Sequence, residues 1–395
     1  MNHAIDPGEI SQLAGKLRRD VLEPIKDRLI GKDEIVEVLG VALAAGENAF
    51  LLGPPGTGKS ALINELAGRL HGRAFDYLLT RFTEPSELFG PFDLRRLRDG
   101  DLVTNTEGML PEADFVFLDE LLNANSAILN SLLLALNERV FRRGKERVRL
   151  PMLMTVGASN RLPEDDALAA LFDRFLLRVR CDNVDTDRLS EVLSAGWKRE
   201  QSDPPTPTLG IEDARRLQAS VTQVDLSVML PAYAKLISRL RTAGMELSDR
   251  RAVRLQKVVA ASAVTCGRVH ATVSDLWIMR YIWDTPDQEE LLAAQLASVQ
   301  AEFEPGRDDA AQTDSVELQQ HPMADHDAKS GPDPEQLSRL LDRIASEPHA
   351  PASADALSLV AARLNWVQAD TAREHLQTRV TELRQTIRPA YEATT

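Results

Sequence analysis

The stretch Leu51–Ser60, LLGPPGTGKS, constrains the fold of this chain more than any other. An apolar strand end runs into a glycine-rich turn, and Lys59-Ser60 then opens a helix. Gly53-x-x-x-x-Gly58-Lys59-Ser60 fits the phosphate-cradling P-loop at every required position. Gly53, Gly56 and Gly58 permit backbone angles closed to other residues and let a phosphate approach the main chain. Across Gly53-Pro54-Pro55-Gly56-Thr57-Gly58-Lys59-Ser60-Ala61, the available N–H groups and the positive end of the next helix would surround a β-phosphate. Lys59 adds a point charge for the β- and γ-phosphates, and the Ser60 hydroxyl is a Mg²⁺ ligand. The loop needs a strand before it and a helix after it. Ala49–Leu52 and ALINELAGRL supply both.

Further apolar runs extend this into a parallel sheet. Phe115–Leu118 reads as a buried strand and ends in Asp119-Glu120. Two acids at a strand's carboxyl end sit beside the phosphate site in a doubly wound sheet. Asp119 would hold Mg²⁺ through water, and Glu120 would act as general base on the attacking water. Met152–Ala158 is another buried strand; it ends in Ser159-Asn160, whose amide could orient the same water or touch the γ-phosphate. Phe75–Leu79 and Leu176–Val179 complete five strands. FTEPSELFGPFDLRRLRDGDLVTNTEGML reads as an excursion inserted between strands. Arg139–Leu150 is basic and centred on Gly144, which suggests a hairpin. Two positions stay open on spacing alone. Ile30-Gly31 is either an adenine-lining segment or a plain helix-to-helix turn. Arg174 is either a surface salt-bridging residue or one that reaches a neighbouring subunit's γ-phosphate.

Outside that core the pattern is helical. Pro7–Leu29 carries an apolar stripe that Pro24 is expected to break or kink. From Glu212 to Trp283 helices follow without strands, and Ser248-Asp249 caps one that begins with Arg250-Arg251. Glu302–Glu335 is acidic and poor in large apolar residues, as a flexible linker would be. It carries His321, Asp325, His326 and Asp327, potential metal ligands in a setting ill-suited to hold one. Beyond it come a short helix, Leu337–Ile344, and a longer amphipathic one from Leu357 to Ile387 that would need a partner. A length of 395 residues allows two or three domains. The net charge of −14 argues against generic nucleic-acid binding. Two cysteines and the lack of any ~18-residue apolar run point to a cytoplasmic setting with no membrane span.

FVFLDELLNANSAILNSLLLALNERVFRRG, VGASNRLPEDDALAALFDRFLLRV and LSDRRAVRLQKVVAASA together resemble an AAA+ ATPase of the MoxR family, with most similarity to its RavA-like branch. The resemblance spans roughly Leu29 to Trp283 and implies an AAA+ P-loop core with a five-stranded parallel sheet and a helix-2 insert beginning at EPSELFGPFDL. An all-α lid and a helical C-terminal extension would follow. The expected segments are 1–28 (helical), 29–182 (α/β core), 183–302 (lid), 303–335 (acidic linker) and 336–395 (helical tail). By position, Lys59 and Ser60 match Walker A, Asp119 and Glu120 Walker B, Asn160 sensor 1 and Arg174 the trans arginine finger. Arg250 matches sensor 2, with Arg251 as the neighbouring alternative. The family implies ATP and Mg²⁺, a hexameric ring, chaperone-like remodelling and a partner with a von Willebrand A domain. A nucleotide-gated scaffold, a nucleic-acid motor and a magnesium-chelatase-like subunit are the competing expectations. The RavA branch carries a β-rich C-terminal insertion, whereas helices alone are expected here after Trp283.

Overall fold

A computed structural model describes residues 5–93, 95–96, 103–143, 146–303, 318–324, 331–350 and 352–387. The chain divides into two compact units. A sheet unit comprises Asp20–Gln218 and Tyr281–Pro286; a helical unit takes the described residues of Met1–Arg19, Ala219–Arg280 and Asp287–Thr395.

In chain order, α1 (Pro7–Lys16) belongs to the helical unit, and a π-helical stretch, Leu17–Leu22, leads to α2 (Glu23–Arg28) of the sheet unit. Pro24 neither ends nor removes the helix; it sits in the first turn of α2, just past the widened turns. Having no N–H, it cannot serve the Asp20 carbonyl four residues back. The Thr208 hydroxyl donates to that carbonyl instead, at 2.9 Å.

The sheet unit continues with α3 (Asp33–Ala45), β1 (Ala49–Leu52), α4 (Lys59–Gly68), β2 (Ala74–Leu78), α5 (Pro85–Phe89), β3 (Phe115–Asp119), α6 (Ser126–Glu138), β4 (Met154–Ser159), α7 (Asp166–Phe172), β5 (Leu177–Arg180) and α8 (Leu189–Gln201). The strands lie in the order β2-β3-β4-β1-β5, and every pair is parallel. β1, β3 and β4 are buried almost throughout, which is why they read as unbroken apolar runs rather than as alternation. Their register, Leu52 beside Ser159 and Leu118 beside Gly157, aligns three carboxyl ends at one edge. The insert between β2 and β3 holds α5 and a short antiparallel pairing around Phe92 and Thr104. The basic hairpin forms from Val140–Arg143 and Glu146–Arg149, with Arg142, Arg147 and Arg149 exposed; Gly144 lies outside the described residues. Phe141 stacks on Phe89 at 5.4 Å and roots the hairpin on α5.

Residues 183–218, expected with the lid, group with the sheet. Leu209–Gly210 pairs in parallel with Leu70–His71, and Arg215 donates to Asp114 (3.1 Å) and to the Pro151 carbonyl (2.9 Å). Tyr281–Pro286 returns to the same unit because Arg178, 1% exposed at its side chain, donates to the Ile282 carbonyl (3.3 Å), the Trp283 carbonyl (2.7 Å) and Asp284 (2.5 Å). Its guanidinium also lies 4.2 Å over the Phe172 ring.

α9 (Ile211–Ser220) leads into the helical unit, built from α10 (Leu230–Thr242), α11 (Asp249–Thr265), a 3-10 stretch at Val273–Tyr281, α12 (Gln288–Phe303), α13 (Pro334–Ser346), α14 (Ser353–Arg363) and α15 (Asp370–Ile387). Part of the expected linker is folded. His321 stacks on Trp277 at 4.4 Å, Met323 is buried, and Arg268 donates to the Gln319 carbonyl at 3.0 Å. His321 thus packs as an aromatic; Asp325, His326 and Asp327 lie outside the described residues.

The expected long terminal helix is two, α14 and α15, separated by a 3-10 turn at Leu364–Trp366. With α13 they share one core that includes Leu337, Leu341, Leu357, Val360, Leu376 and Val380. The stripe therefore finds its partners within the chain rather than awaiting another protein.

Candidate functional site

The P-loop joins β1 to α4 at the aligned carboxyl edge. Gly56 (φ 81°) and Gly58 (φ 87°) occupy left-handed backbone with open space where a Cβ would stand. Gly53 differs: its φ is not positive, and its role is close approach, since a Cβ there would lie 2.1 Å from the Cys181 carbonyl oxygen. Cys181, just past β5, also donates its N–H to the Leu52 carbonyl at 2.8 Å, so the end of β5 buttresses the start of the loop. Pro54, Pro55, Gly56 and Ser60 are exposed, Gly58 and Ala61 half-buried, Thr57 buried. The Thr57 hydroxyl braces the turn by donating to the Pro54 carbonyl at 3.0 Å. Lys59 is 6% exposed, and its ammonium donates to the Gly53 and Pro54 carbonyls, both at 2.8 Å.

β3 brings the two acids to the same edge. The Ser60 hydroxyl donates to Asp119 Oδ2 at 3.1 Å. A hydroxyl and a carboxylate set side by side in this way are hard oxygen donors of the kind that suits Mg²⁺ with its retained waters. Glu120 takes a left-handed backbone (φ 49°), with its N–H donating to Asp119 Oδ1 at 2.9 Å. Burial pushes the Glu120 carboxyl up from its ordinary value, as does the Asp119 charge, against opposing pulls from Lys59 and Arg161. A carboxyl held in that direction suits a proton acceptor at near-neutral pH.

Asn160 follows β4, the strand between β1 and β3, and is exposed at the same edge. Asp119, Glu120 and Asn160 are thereby gathered at the carboxyl ends of adjacent strands, beside Lys59 and Ser60 at the start of α4. Arg174 is not among them. It precedes β5, at the strands' amino edge, where its carbonyl accepts from Asn48, the residue before β1. Its side chain, 25% exposed, pairs with Asp173 at 3.1 Å. Gly31 (φ 72°) turns the chain where a Cβ would lie 2.9 Å from Val184, and Ile30 lines a groove of about 440 Å³ with α2 and α8. Arg250 lies in the other unit, exposed in the first turn of α11, while Arg251 is 8% exposed.

Three residues escaped the sequence reading. Arg161 donates to Asn123 Oδ1 (3.0 Å), Glu164 (2.7 Å) and the Leu122 carbonyl (3.4 Å), and its charge acts on Glu120. Its position directly after Asn160 was the available signal. Asp76 on β2 is a third carboxyl in this field, pushed up by its own burial and then by Asp119. Asn48 carried no signal beyond preceding an apolar strand.

Sheet order, loop and acid pair define a P-loop core of the AAA+ kind. Residues 15–219 match the family described as the MoxR domain in the MoxR-vWA-beta-propeller ternary systems, and residues 229–296 match the AAA lid domain. The chain belongs to the MoxR family of AAA+ proteins. It is 35% identical over 289 residues to an uncharacterized protein of Methanocaldococcus jannaschii, covering 72% of this chain and 77% of that one. Chaperone MoxR1 of Mycobacterium tuberculosis is 25% identical over 198 residues, 48% of this chain and 52% of its own. The crystal structure of a candidate ATPase from Cytophaga hutchinsonii aligns with TM-score 0.61 at 16% identity, over 74% of this chain and 96% of that one. That likeness concerns the fold.

Proposed function

We propose that this chain hydrolyses ATP at the subunit interfaces of a hexameric ring and uses the cycle to remodel or mature protein partners. The observation that carries this reading is the separation of the two halves of the site. Lys59, Ser60, Asp119, Glu120 and Asn160 share the carboxyl edge of the sheet, whereas Arg174 is tied to the opposite end of β1 through Asn48. The intervening strand measures roughly 13 Å, more than an arginine side chain spans. A neighbouring copy's γ-phosphate is the target that this arrangement favours.

In that reading the Lys59 ammonium exchanges its two carbonyl partners for phosphate oxygens. Ser60 directly and Asp119 through water would hold Mg²⁺, which when bound would neutralise phosphate charge. Asn160 orients the water. As the water oxygen attacks the γ-phosphorus, the bond to the β–γ bridging oxygen breaks and Glu120 accepts the water's proton. Arg174 from the next subunit stabilises the charge spreading over the transferred group, and Arg250 is the sensor 2 residue. Ile30 and Gly31 take the adenine end of the nucleotide.

The family description supports a von Willebrand A-domain partner. The motifs quoted above favour the RavA-like branch. Two free, buried cysteines agree with a cytoplasmic setting, and no helix among the described residues is long and apolar enough to cross a membrane.

Mixing subunits tests the shared site. Lys59→Ala and Arg174→Ala chains should each be inactive alone, an arginine finger being worth roughly 10³–10⁵ in rate. Mixed together they should regain turnover, because some interfaces would pair an intact loop with an intact arginine. Full activity of Arg174→Ala alone, or no recovery on mixing, would overturn the reading.

A further inference from the structure

Asn48, 1% exposed, spends its side-chain amide on three separate pieces of the sheet unit. Its Nδ2 donates to the Arg174 carbonyl at 3.2 Å. Its Oδ1 accepts from the Thr155 backbone N–H at 3.2 Å and from the Arg139 guanidinium at 3.1 Å. The partners fix the orientation of the amide, since an N–H and a guanidinium can only donate and a carbonyl can only accept. Arg139 ends α6 and roots the hairpin. Among the described residues, it and Glu120 are the two non-glycine positions with positive φ (52° at Arg139), and the same guanidinium nitrogen also donates to the Gly46 carbonyl at 3.1 Å. Left-handed backbone at such a residue persists where its surroundings over-determine it, and it concentrates at functional positions.

We propose that Asn48 is a positioning residue for Arg174, holding the backbone from which that arginine leaves the sheet. The inference rests on the reading of Arg174 as the trans-acting arginine. The ion pair with half-exposed Asp173 restrains the Arg174 side chain only weakly. Its direction is therefore set by the peptide that Asn48 holds. Because the guanidinium lies at the end of a long side chain, a small rotation of that peptide displaces it by an ångström or more, and a misplacement of that size costs about a hundredfold in rate. Arg139 shares the amide, so the end of α6 and the arginine's backbone answer to one side chain.

Asn48→Asp keeps both acceptor contacts and replaces the donor to the Arg174 carbonyl with a carboxylate oxygen that repels it. In the assembled protein, kcat for ATP hydrolysis should fall about tenfold to a hundredfold. The KM for ATP should stay at its wild-type value, since the P-loop lies at the far end of β1. In an Arg174→Ala background, single-turnover rates should show no additional loss. Asn48→Ser, smaller and uncharged, should repeat this pattern if the buried carboxylate prevents folding. Wild-type kcat in both variants, a raised KM, losses that multiply with that of Arg174→Ala, or failure of both to fold would each overturn the inference. Undiminished turnover in Arg174→Ala alone would instead remove the assignment of the arginine, a result read from a separate sample.

Discussion

Glu120 meets two demands that pull against each other. As the proposed general base it must be unprotonated to accept a proton, yet burial and the Asp119 charge favour its protonated form, and Lys59 and Arg161 offset them. Arg161→Gln removes one offset, so the acid limb of the pH–kcat profile should move to higher pH. Activity on the acid side of the profile should fall relative to the alkaline plateau, which stays put. An unmoved acid limb would show that the Arg161 charge does not govern the base. The linkage runs the same way. Because the folded value is raised, this carboxyl's contribution to stability is present below the ordinary carboxylate range and is lost as pH rises through the folded value. The P-loop and the acid pair were legible because their residues are contiguous and their chemistry follows from local spacing. Asn48, Asp76 and Arg161 were not, because what they do depends on which strands the fold sets side by side. Gly53 was legible as a required glycine for a reason that proved wrong: the Cys181 carbonyl, 128 positions further along, excludes a side chain there.

At the scale of elements, Arg178 on β5 shows how a strand can recruit a distant segment. It is buried with its charge, and the carbonyls of Ile282 and Trp283 accept from it. Arg178→Met would fill similar space but leave those acceptors unpaired. It should cost about 3 kcal/mol, read as a lower denaturant midpoint by tryptophan fluorescence, with Trp283 in the affected segment. An unchanged midpoint would mean that Tyr281–Pro286 is held by apolar packing alone. Sequence periodicity found the strands and most helices, and it missed the break between α14 and α15 for a physical reason. The Leu364–Trp366 turn is a 3-10 helix, so the step from Leu364 to Val367 keeps the apolar stripe in phase across the interruption. At Pro24 the residue was informative and the outcome was not: a proline can break, kink or widen a helix, and the hydroxyl of Thr208 that meets the carbonyl it leaves unserved cannot be read from local sequence.

Across the whole molecule, the helical unit is assembled from three separated stretches of chain. α1 packs in it against α11, where Ser11 lies close to Gly267, and against α14, where Asp355 contacts Gly15 and pairs with Arg19. A small cavity of about 150 Å³ remains between these pieces. Removing residues 331–395 should therefore expose Lys16, Arg18 and Arg19, and trypsin should cut there many-fold faster than in the full chain. Cleavage at an unchanged rate would show that α11 suffices to hold α1. The segments expected from sequence are each contiguous in the chain, whereas the helical unit draws on the described residues of Met1–Arg19, Ala219–Arg280 and Asp287–Thr395.

The pairing of Arg19 with Asp355 also sets a schedule for biosynthesis. The two are 336 positions apart, so at about 5–20 residues per second α1 emerges from the ribosome roughly twenty seconds to a minute before α14 exists. All five strands of the sheet lie between Ala49 and Arg180 and can close in that interval. α1 cannot, and until α11 and then α14 are made its apolar residues Ile10, Leu13 and Ala14 stay available to whatever escorts nascent chains.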